Sequence, residues 1–365
     1  MEVKDISKES SQSSLGVLSQ MFDLEHEQVL FCQDKEVGLK AIIAVHNTIC
    51  GPALGGTRMW NYNNEQEALR DVLRLSRGMT YKNAISGLNL GGGKAVIIGD
   101  SRTQKNEALF RRFGKFVNSL AGKYITAEDV GISPSDMNWV SMETKHVAGL
   151  PGKSGDPSPV TAYGVYMGMK AAAKSQYGSD DLSGKKIAVQ GVGHVGEYLV
   201  GHLAKEGAQV YISDINKDTL SHVSHTYGAK VVGLDEIYDV DMDIYAPCAL
   251  GATVNDETLS KLKCSIIAGA ANNQLANEDI HGKALIERGI VYAPDFLINA
   301  GGVMNCYAEV YGINEAEVKT MCENIYNTTL DIIETSKSTG TPSYAIANQK
   351  AEERLRTIAN IKKYM

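Results

Sequence analysis

The sequence predicts an α/β protein, with an N-terminal mixed α/β domain followed by a C-terminal Rossmann-type domain. Three observations predict it. Strands alternate with helices from Lys185 onward, a GxGxxG turn joins the first of those strands to its helix, and residues 149–159 gather Pro, Gly and Ser between this half and a first half of mixed pattern. Short βα units of this kind fit a parallel sheet covered on both faces.

Residues 1–16 are polar, Ser-rich and mixed in charge, which predicts a flexible leader without the apolar run of a secretion signal. Short apolar runs place strands over 29–32 and 40–45. Residues 51–58 read as a glycine-rich turn suited to close ligand contact. Asn64 is the expected N-cap of a helix with Glu67 at its N3 position; Leu69, Val72, Leu73 and Ser76 share one face, and the helix runs toward Lys82 and stops by Gly87. Strands follow over 95–98 and 124–126. The boundary at 149–159 divides a domain of 1–150 from one of 151–340, with 341–365 expected to pack back on the first. Ser158 and Pro159 read as N-cap and N1 of a helix ending near Gly178. Then come strand 186–190, a helix to Gly207, strand 209–213, a helix to Gly228, strands 242–246, 265–268 and 291–293, and tail helices over 315–337 and 345–363.

Composition narrows the function. The apolar fraction is 43%, the charged fraction 22% and the formal net charge −7, so nucleic acid has no basic footprint to bind. No apolar run approaches the roughly 20 residues of a membrane span. The six cysteines contain no CxxC pair, which argues against a zinc finger or a redox dithiol and for reduced thiols in the cytoplasm. His222 and His225 lie three apart on a helix without a third ligand nearby in sequence, so no metal site is expected. His194 fills a position in the glycine turn that carries no required role.

The cofactor expectation rests on Gly191, Gly193 and Gly196. They follow the apolar strand residues Ile187, Ala188 and Val189 and open an amphipathic helix. The first glycine permits the turn, the second lets the backbone approach a pyrophosphate, and the third lets the helix pack on its strand. The helix N-terminus adds free N–H groups and a positive dipole end. Asp214 closes the next strand eighteen residues beyond Gly196. A carboxylate there accepts from ribose hydroxyls and repels a 2′-phosphate, favouring NAD over NADP; the plainer role for Asp214 is to cap the helix beginning near Asn216.

Two lysines keep unusual company. Lys82 stands near the end of its amphipathic helix, and Lys94 follows three glycines and precedes Ala-Val-Ile-Ile. Most lysines are solvated, but backbone room and apolar neighbours would desolvate Lys94, and with a second nearby cation would fit it to act as a base. Asp129 stands just past a strand end, where α/β folds often place site residues.

The runs GPALGGTRMW, GMTYKN, LNLGGGKAVI, ITAEDVG, DPSPVTAYGV, YAPCALGATVND, AGAANNQL and YAPDFLINAGGV resemble the glutamate/leucine/phenylalanine/valine dehydrogenase family, in order, from about Phe31 to Arg354. The resemblance implies NAD-dependent, reversible oxidative deamination of a branched-chain L-amino acid to its 2-oxo acid and ammonia. It implies that Lys82 pairs with the substrate α-carboxylate, that Lys94 is the base activating water, and that Asp129 exchanges a proton with the amino group. Gly55 and Gly56 would give main-chain contacts to substrate, and Thr161 and Asn272 would orient the nicotinamide or its ribose. Leu54, Ala127, Val303 and Cys306 would line an apolar side-chain pocket. Glutamate-specific relatives commonly carry a lysine where Leu54 stands; a γ-carboxylate facing Leu54 would be left unpaired at a cost of several kcal/mol. Cys306 replaces a frequent valine and would tune the ranking among leucine, isoleucine and valine. A homo-oligomer is expected, octameric by resemblance, although the chain stops at Met365, soon after AEER, which leaves a dimer open. The alternatives are a relative specific for valine or phenylalanine, and a non-catalytic NAD sensor that would be expected to have lost Lys82, Lys94 or Asp129.

Overall fold

The computed structural model describes residues 16–362, so the Ser-rich leader lies, Gly16 apart, outside the described residues. The chain divides into two compact units: Met1–Gly155 with Glu309–Gly312 and Ala351–Met365, and Asp156–Ala308 with Ile313–Lys350.

Unit one begins with helix α1 (Val17–Asp23) and is built on five strands: β1 (Gln28–Asp34), β2 (Leu39–Asn47), β3 (Ala53–Trp60), β4 (Gly91–Ile98) and β5 (Tyr124–Glu128). Their order is β1-β2-β4-β3-β5. The β1–β2 and β2–β4 pairs are antiparallel, while β3 runs parallel to both β4 and β5. Helices α2 (Glu65–Ile85), α3 (Glu107–Ser119) and α4 (Pro134–Ser141) cover the sheet. Alternation along the strands sorts the two faces. Ala41, Ile43 and Val45 of β2 and Ala95 and Ile97 of β4 join Phe110, Phe113 and Val117 of α3 and Met137 and Val140 of α4. Ile42, Ala44 and Val96 meet Leu69, Val72 and Leu73 of α2 on the other side. Lys94, two residues before Val96, therefore belongs to the α2 face.

Helix α2 starts where the sequence predicts. The Asn64 side chain accepts from the Glu67 N–H at 2.9 Å, a cap that contributes about 1 kcal/mol. Glu67 in turn accepts from the backbone N–H of Asn63 rather than from that of Asn64.

Unit two holds helix α5 (Ser158–Tyr177), then β6 (Lys186–Gln190), α6 (His194–Lys205), β7 (Gln209–Ser213), α7 (Lys217–Tyr227), β8 (Lys230–Val231), β9 (Ile244–Pro247), α8 (Asp256–Lys261), β10 (Ile266–Ile267), α9 (Glu278–Glu287), β11 (Val291–Tyr292), α10 (Asp295–Ile298), α11 (Gly301–Tyr311) and α12 (Glu315–Thr339). Helix α11 runs on into the 309–312 segment of unit one. The six strands are all parallel, in the order β11-β10-β9-β6-β7-β8. Strand order reverses between β6 and β9, which opens a crevice at the carboxyl ends of those two strands.

Four expectations need correction. Residues 53–60 form strand β3 rather than a turn, and Gly91 to Gly93 lie inside β4 rather than before it. The glycines serve close packing, not backbone room: a Cβ at Gly55 would lie 1.8 Å from the Gly93 carbonyl oxygen, and one at Gly92 would lie 2.1 Å from Thr80 Oγ1. Helix α5 is capped at Pro157 and begins at Ser158, whose N–H is taken by the Asp156 carboxylate. Finally, the last helix, α13 (Ser343–Lys362), is divided: residues 343–350 cluster with unit two and 351–362 with unit one. Ser343 donating to the Tyr292 carbonyl at 2.7 Å and Lys350 pairing with Asp331 at 2.6 Å tie the first part to unit two.

Candidate active site

Three parallel strand ends and one helix build the site of unit one. Leu54, Gly55 and Gly56 lie on β3 beside Ile125, Thr126 and Ala127 of β5. Tyr124, fully buried, donates its hydroxyl to the Gly55 carbonyl at 2.6 Å, and Thr57 and Thr126 share a hydrogen bond of 2.6 Å beneath. Leu54 and Ala127 are both buried. Lys82 stands in the last turn of α2. Its neighbour Asn83 donates to the Gly91 carbonyl at 2.6 Å, joining the end of α2 to the start of the strand that carries Lys94.

Lys94 is 6% exposed, so its desolvation is as expected. The group it meets is an anion: its Nζ lies 2.9 Å from Asp129 Oδ2. The expected neighbouring cation is present at one remove, because Arg58 Nε lies 3.1 Å from the same oxygen. Burial by itself would push the Asp129 carboxyl up, but Lys94 and Arg58 together outweigh it and hold it down at about 2. Asp129 is thus an anion at any physiological pH. Arg58 also reaches Asp71 Oδ2 through Nη1 at 3.0 Å, and Tyr62 donates its hydroxyl to that oxygen at 2.7 Å.

The cofactor residues assemble in unit two. Gly191 ends β6 at φ +96°, and a Cβ there would meet Ala249 at 2.6 Å. Gly196 packs so closely that a Cβ would lie 2.1 Å from the Gly191 carbonyl oxygen, whereas Gly193, the exposed N-cap of α6, has nothing within 4 Å of where its Cβ would be. Packing explains the first and third glycines. The middle one is left to a ligand whose phosphates approach the backbone, and in this respect the turn fits a dinucleotide. Asp214 Oδ2 accepts from the Val192 N–H at 2.8 Å and Oδ1 from the Asn216 N–H at 2.9 Å, so it ties the glycine turn to the end of β7. The cap of α7 is Asn216, not Asp214.

Thr161 lies in the first turn of α5, its hydroxyl donating to the Pro157 carbonyl at 2.9 Å. The Asn272 side-chain oxygen accepts from Asn299 Nδ2 at 2.8 Å. Val303, buried, and Cys306, half-buried, stand three residues apart on one face of α11. His222 is exposed and pairs with Glu197 at 3.2 Å. Sequence reasoning passed over Arg58, Asn83 and Asn299, although each lies inside or beside one of the quoted runs. No local spacing marks them, because Arg58 meets Asp129 across 71 residues and Asn299 meets Asn272 across 27.

A parallel sheet with reversed strand order, its glycine turn feeding a helix N-terminus and an acid closing the neighbouring strand, defines a dinucleotide-dependent oxidoreductase. The chain belongs to the glutamate/leucine/phenylalanine/valine dehydrogenase family: residues 26–146 match its dimerisation domain, and residues 152–216 and 211–363 match the dehydrogenase domain. It is 56% identical over 344 residues to a leucine dehydrogenase of Thermoactinomyces intermedius, covering 93% of this chain and 94% of that one. It is 48% identical over 333 residues to an L-tryptophan dehydrogenase of Nostoc punctiforme, covering 91% and 94%. The crystal structure of L-tryptophan dehydrogenase from Nostoc punctiforme superposes with a TM-score of 0.83 at 45% identity, covering 94% of this chain and 99% of that one. The chain is an amino-acid dehydrogenase, and among the described residues no helix is long and apolar enough to cross a membrane.

Proposed function

We propose that this enzyme carries out the NAD-dependent, reversible oxidative deamination of L-leucine, and of isoleucine and valine, to the 2-oxo acid and ammonia. The observation that carries the reading is the buried Lys94 amino group held 2.9 Å from Asp129. Bound NAD supplies the acceptor for the hydride leaving Cα. The turn at Gly191, Gly193 and Gly196 holds its pyrophosphate and Asp214 its ribose, while Thr161 and Asn272 orient the far end.

Lys82 takes the substrate α-carboxylate, and the backbone of Gly55 and Gly56 gives further main-chain contacts. Lys94 acts as the base in its neutral amine form, accepting a proton from the water that adds to the imine carbon of the substrate and later returning it. Asp129 has one oxygen engaged by two cations and is a poor proton acceptor in that state. It receives a proton from the substrate ammonium only once the ammonium has displaced one of them. Leu54 and Ala127 present an apolar surface without a cation, so a γ-carboxylate has no partner there. The family resemblance further implicates Val303 and Cys306 in choosing the side chain. For the assembly we propose a closed homo-oligomer, octameric as in the family resemblance, with a dimer as the smaller alternative. Six cysteines, none of them in a disulfide among the described residues, suit a cytoplasmic setting.

Steady-state NAD reduction across a panel of L-amino acids tests the substrate. A kcat/KM highest for leucine supports the reading, and one highest for phenylalanine or tryptophan replaces it with an aromatic specificity. Lys94→Ala tests the mechanism: turnover should vanish while NAD still binds, and near-parental kcat would remove the assigned role.

A further inference from the structure

The Lys94–Asp129 pair does not stand alone. Arg58, on β3, has its side chain largely buried, and its guanidinium is forked between two carboxylates: Nε to Asp129 at 3.1 Å and Nη1 to Asp71 at 3.0 Å. Asp71, on α2, also accepts from the Tyr62 hydroxyl at 2.7 Å on the same oxygen, and Arg74 lies 3.6 Å from its other oxygen. A continuous polar chain therefore runs Tyr62–Asp71–Arg58–Asp129–Lys94. It joins α2, β3, the end of β5 and β4, so each element that carries a proposed catalytic group is also tied to Arg58.

We infer that Arg58 is a positioning residue for the reaction, holding the Asp129 carboxylate against Lys94 and setting the charge of the pair. The inference rests on the roles proposed for Lys94 and Asp129. Its first support is geometric. Both cations converge on Oδ2 of Asp129, so the place of that oxygen, and through it the place of Lys94 Nζ, is fixed by the guanidinium as much as by the lysine. A planar guanidinium can serve two carboxylates in different directions through two of its nitrogens; a lysine ammonium on a flexible stem cannot hold the same fork. Its second support is electrostatic. The titratable groups that act most strongly on Arg58 are Asp129, Asp71 and Tyr62, with Lys94 and Arg74 one contact further. Removing Arg58 leaves the buried cluster one positive charge short, and removing the charge of Asp71 leaves it one negative charge short.

Those two changes must act in opposite directions, which separates positioning from simple support of the fold. Loss of a cation strengthens proton binding across the cluster, and loss of an anion weakens it. In Arg58→Gln the acid limb of the kcat/KM profile should move to higher pH by about one unit, and kcat/KM at its optimum should fall about 10–100-fold. Arg58→Lys keeps the charge but loses the fork; its acid limb should stay near the parental position while kcat remains depressed. In Asp71→Asn the acid limb should move to lower pH. NAD affinity, read by protein fluorescence, should be unchanged in all three, since the glycine turn lies in the other unit.

The inference is overturned if folded Arg58→Gln keeps parental kcat/KM and an unmoved profile, or if Arg58→Gln and Asp71→Asn shift the limb the same way. Should Arg58→Gln fail to fold, Asp71→Asn decides: a lowered limb supports the role and an unmoved limb removes it. A Lys94→Ala variant that still turns over would sink the underlying assignment of the base instead, and would do so whatever Arg58 shows.

Discussion

Arg354 donates to the carbonyl oxygen of Leu88 at 2.7 Å. The same guanidinium reaches the carbonyls of Ala84 and Gly87 and the side chain of Asn89, all within 3.1 Å. Helix α2 ends at Ile85, so the guanidinium lies against a carbonyl of its last turn and the carbonyls of the segment that follows. A cation there also complements the negative end of the helix dipole. The last turn it closes is the one that carries Lys82.

Arg354→Ala should therefore do two things. It should lower stability by about 2–4 kcal/mol, since several charge-assisted bonds are lost at once, which a urea titration would read. It should also raise KM for the amino acid more than it lowers kcat, because the displaced group is the one proposed to hold the α-carboxylate. A stable variant with unchanged KM would show that the clasp does not govern Lys82.

The two oxygens of Asp214 are spoken for by backbone N–H groups, one of them in the glycine turn. Asp214→Ser should raise the ratio of kcat/KM for NADP to that for NAD by about tenfold or more, as the repulsion of a 2′-phosphate is relieved. Affinity for NAD itself should weaken, since Val192 loses its acceptor and the turn loosens. An unchanged ratio would assign the ribose to another partner.

These cases show what the sequence made legible. The dinucleotide turn could be read because its chemistry is local: strand, three glycines and helix follow one another within one run. The lysines and Asp129 stood out by their neighbours in sequence, and their particular roles came through motifs of the family resemblance. The strand character of 53–60 and of Gly91 to Gly93 did not, because glycine is poor in strands and reads as a turn. Only the packed sheet shows that Gly55 faces the Gly93 carbonyl too closely for any side chain. Arg58 and Arg354 were hidden for a different reason. Their partners lie 13 and 71 residues away in one case and up to 271 in the other, and a lone arginine in sequence looks like solvated surface.

Acid should weaken unit one through two histidines. His26 and His46 lie edge to face at 4.7 Å, both buried, with His46 bonded to Thr80 and His26 to Ser76, each at 2.8 Å. Burial, reinforced by Arg77 and for His46 by its neighbour His26, brings them down to about 4 for His26 and about 3 for His46. The unfolded chain then binds protons more readily than the folded one below the usual histidine range. Stability is whole above pH 6.5 and falls as pH drops toward 4, at up to about 1.4 kcal/mol per unit for each histidine. His46→Gln should flatten that slope while costing stability at pH 7. Urea midpoints at pH 7 and pH 5 check this: an equal drop in parent and variant would acquit the pair.

Gly193→Ala separates cofactor binding from folding most cleanly. Nothing lies within 4 Å of the position a Cβ would take, and the backbone there, at φ −64°, is open to any residue. The apparent Tm should stay within about 2 °C of the parent, since a change with no steric or backbone cost falls within ±0.5 kcal/mol. The methyl would, however, occupy the space in which a pyrophosphate approaches the main chain, so KM for NAD should rise about tenfold or more with little change in KM for leucine. Gly196→Ala is the contrast, because its Cβ would press on the Gly191 carbonyl at 2.1 Å and lower Tm as well. If Gly193→Ala bound NAD as the parent does, the dinucleotide would have to lie elsewhere than along this turn.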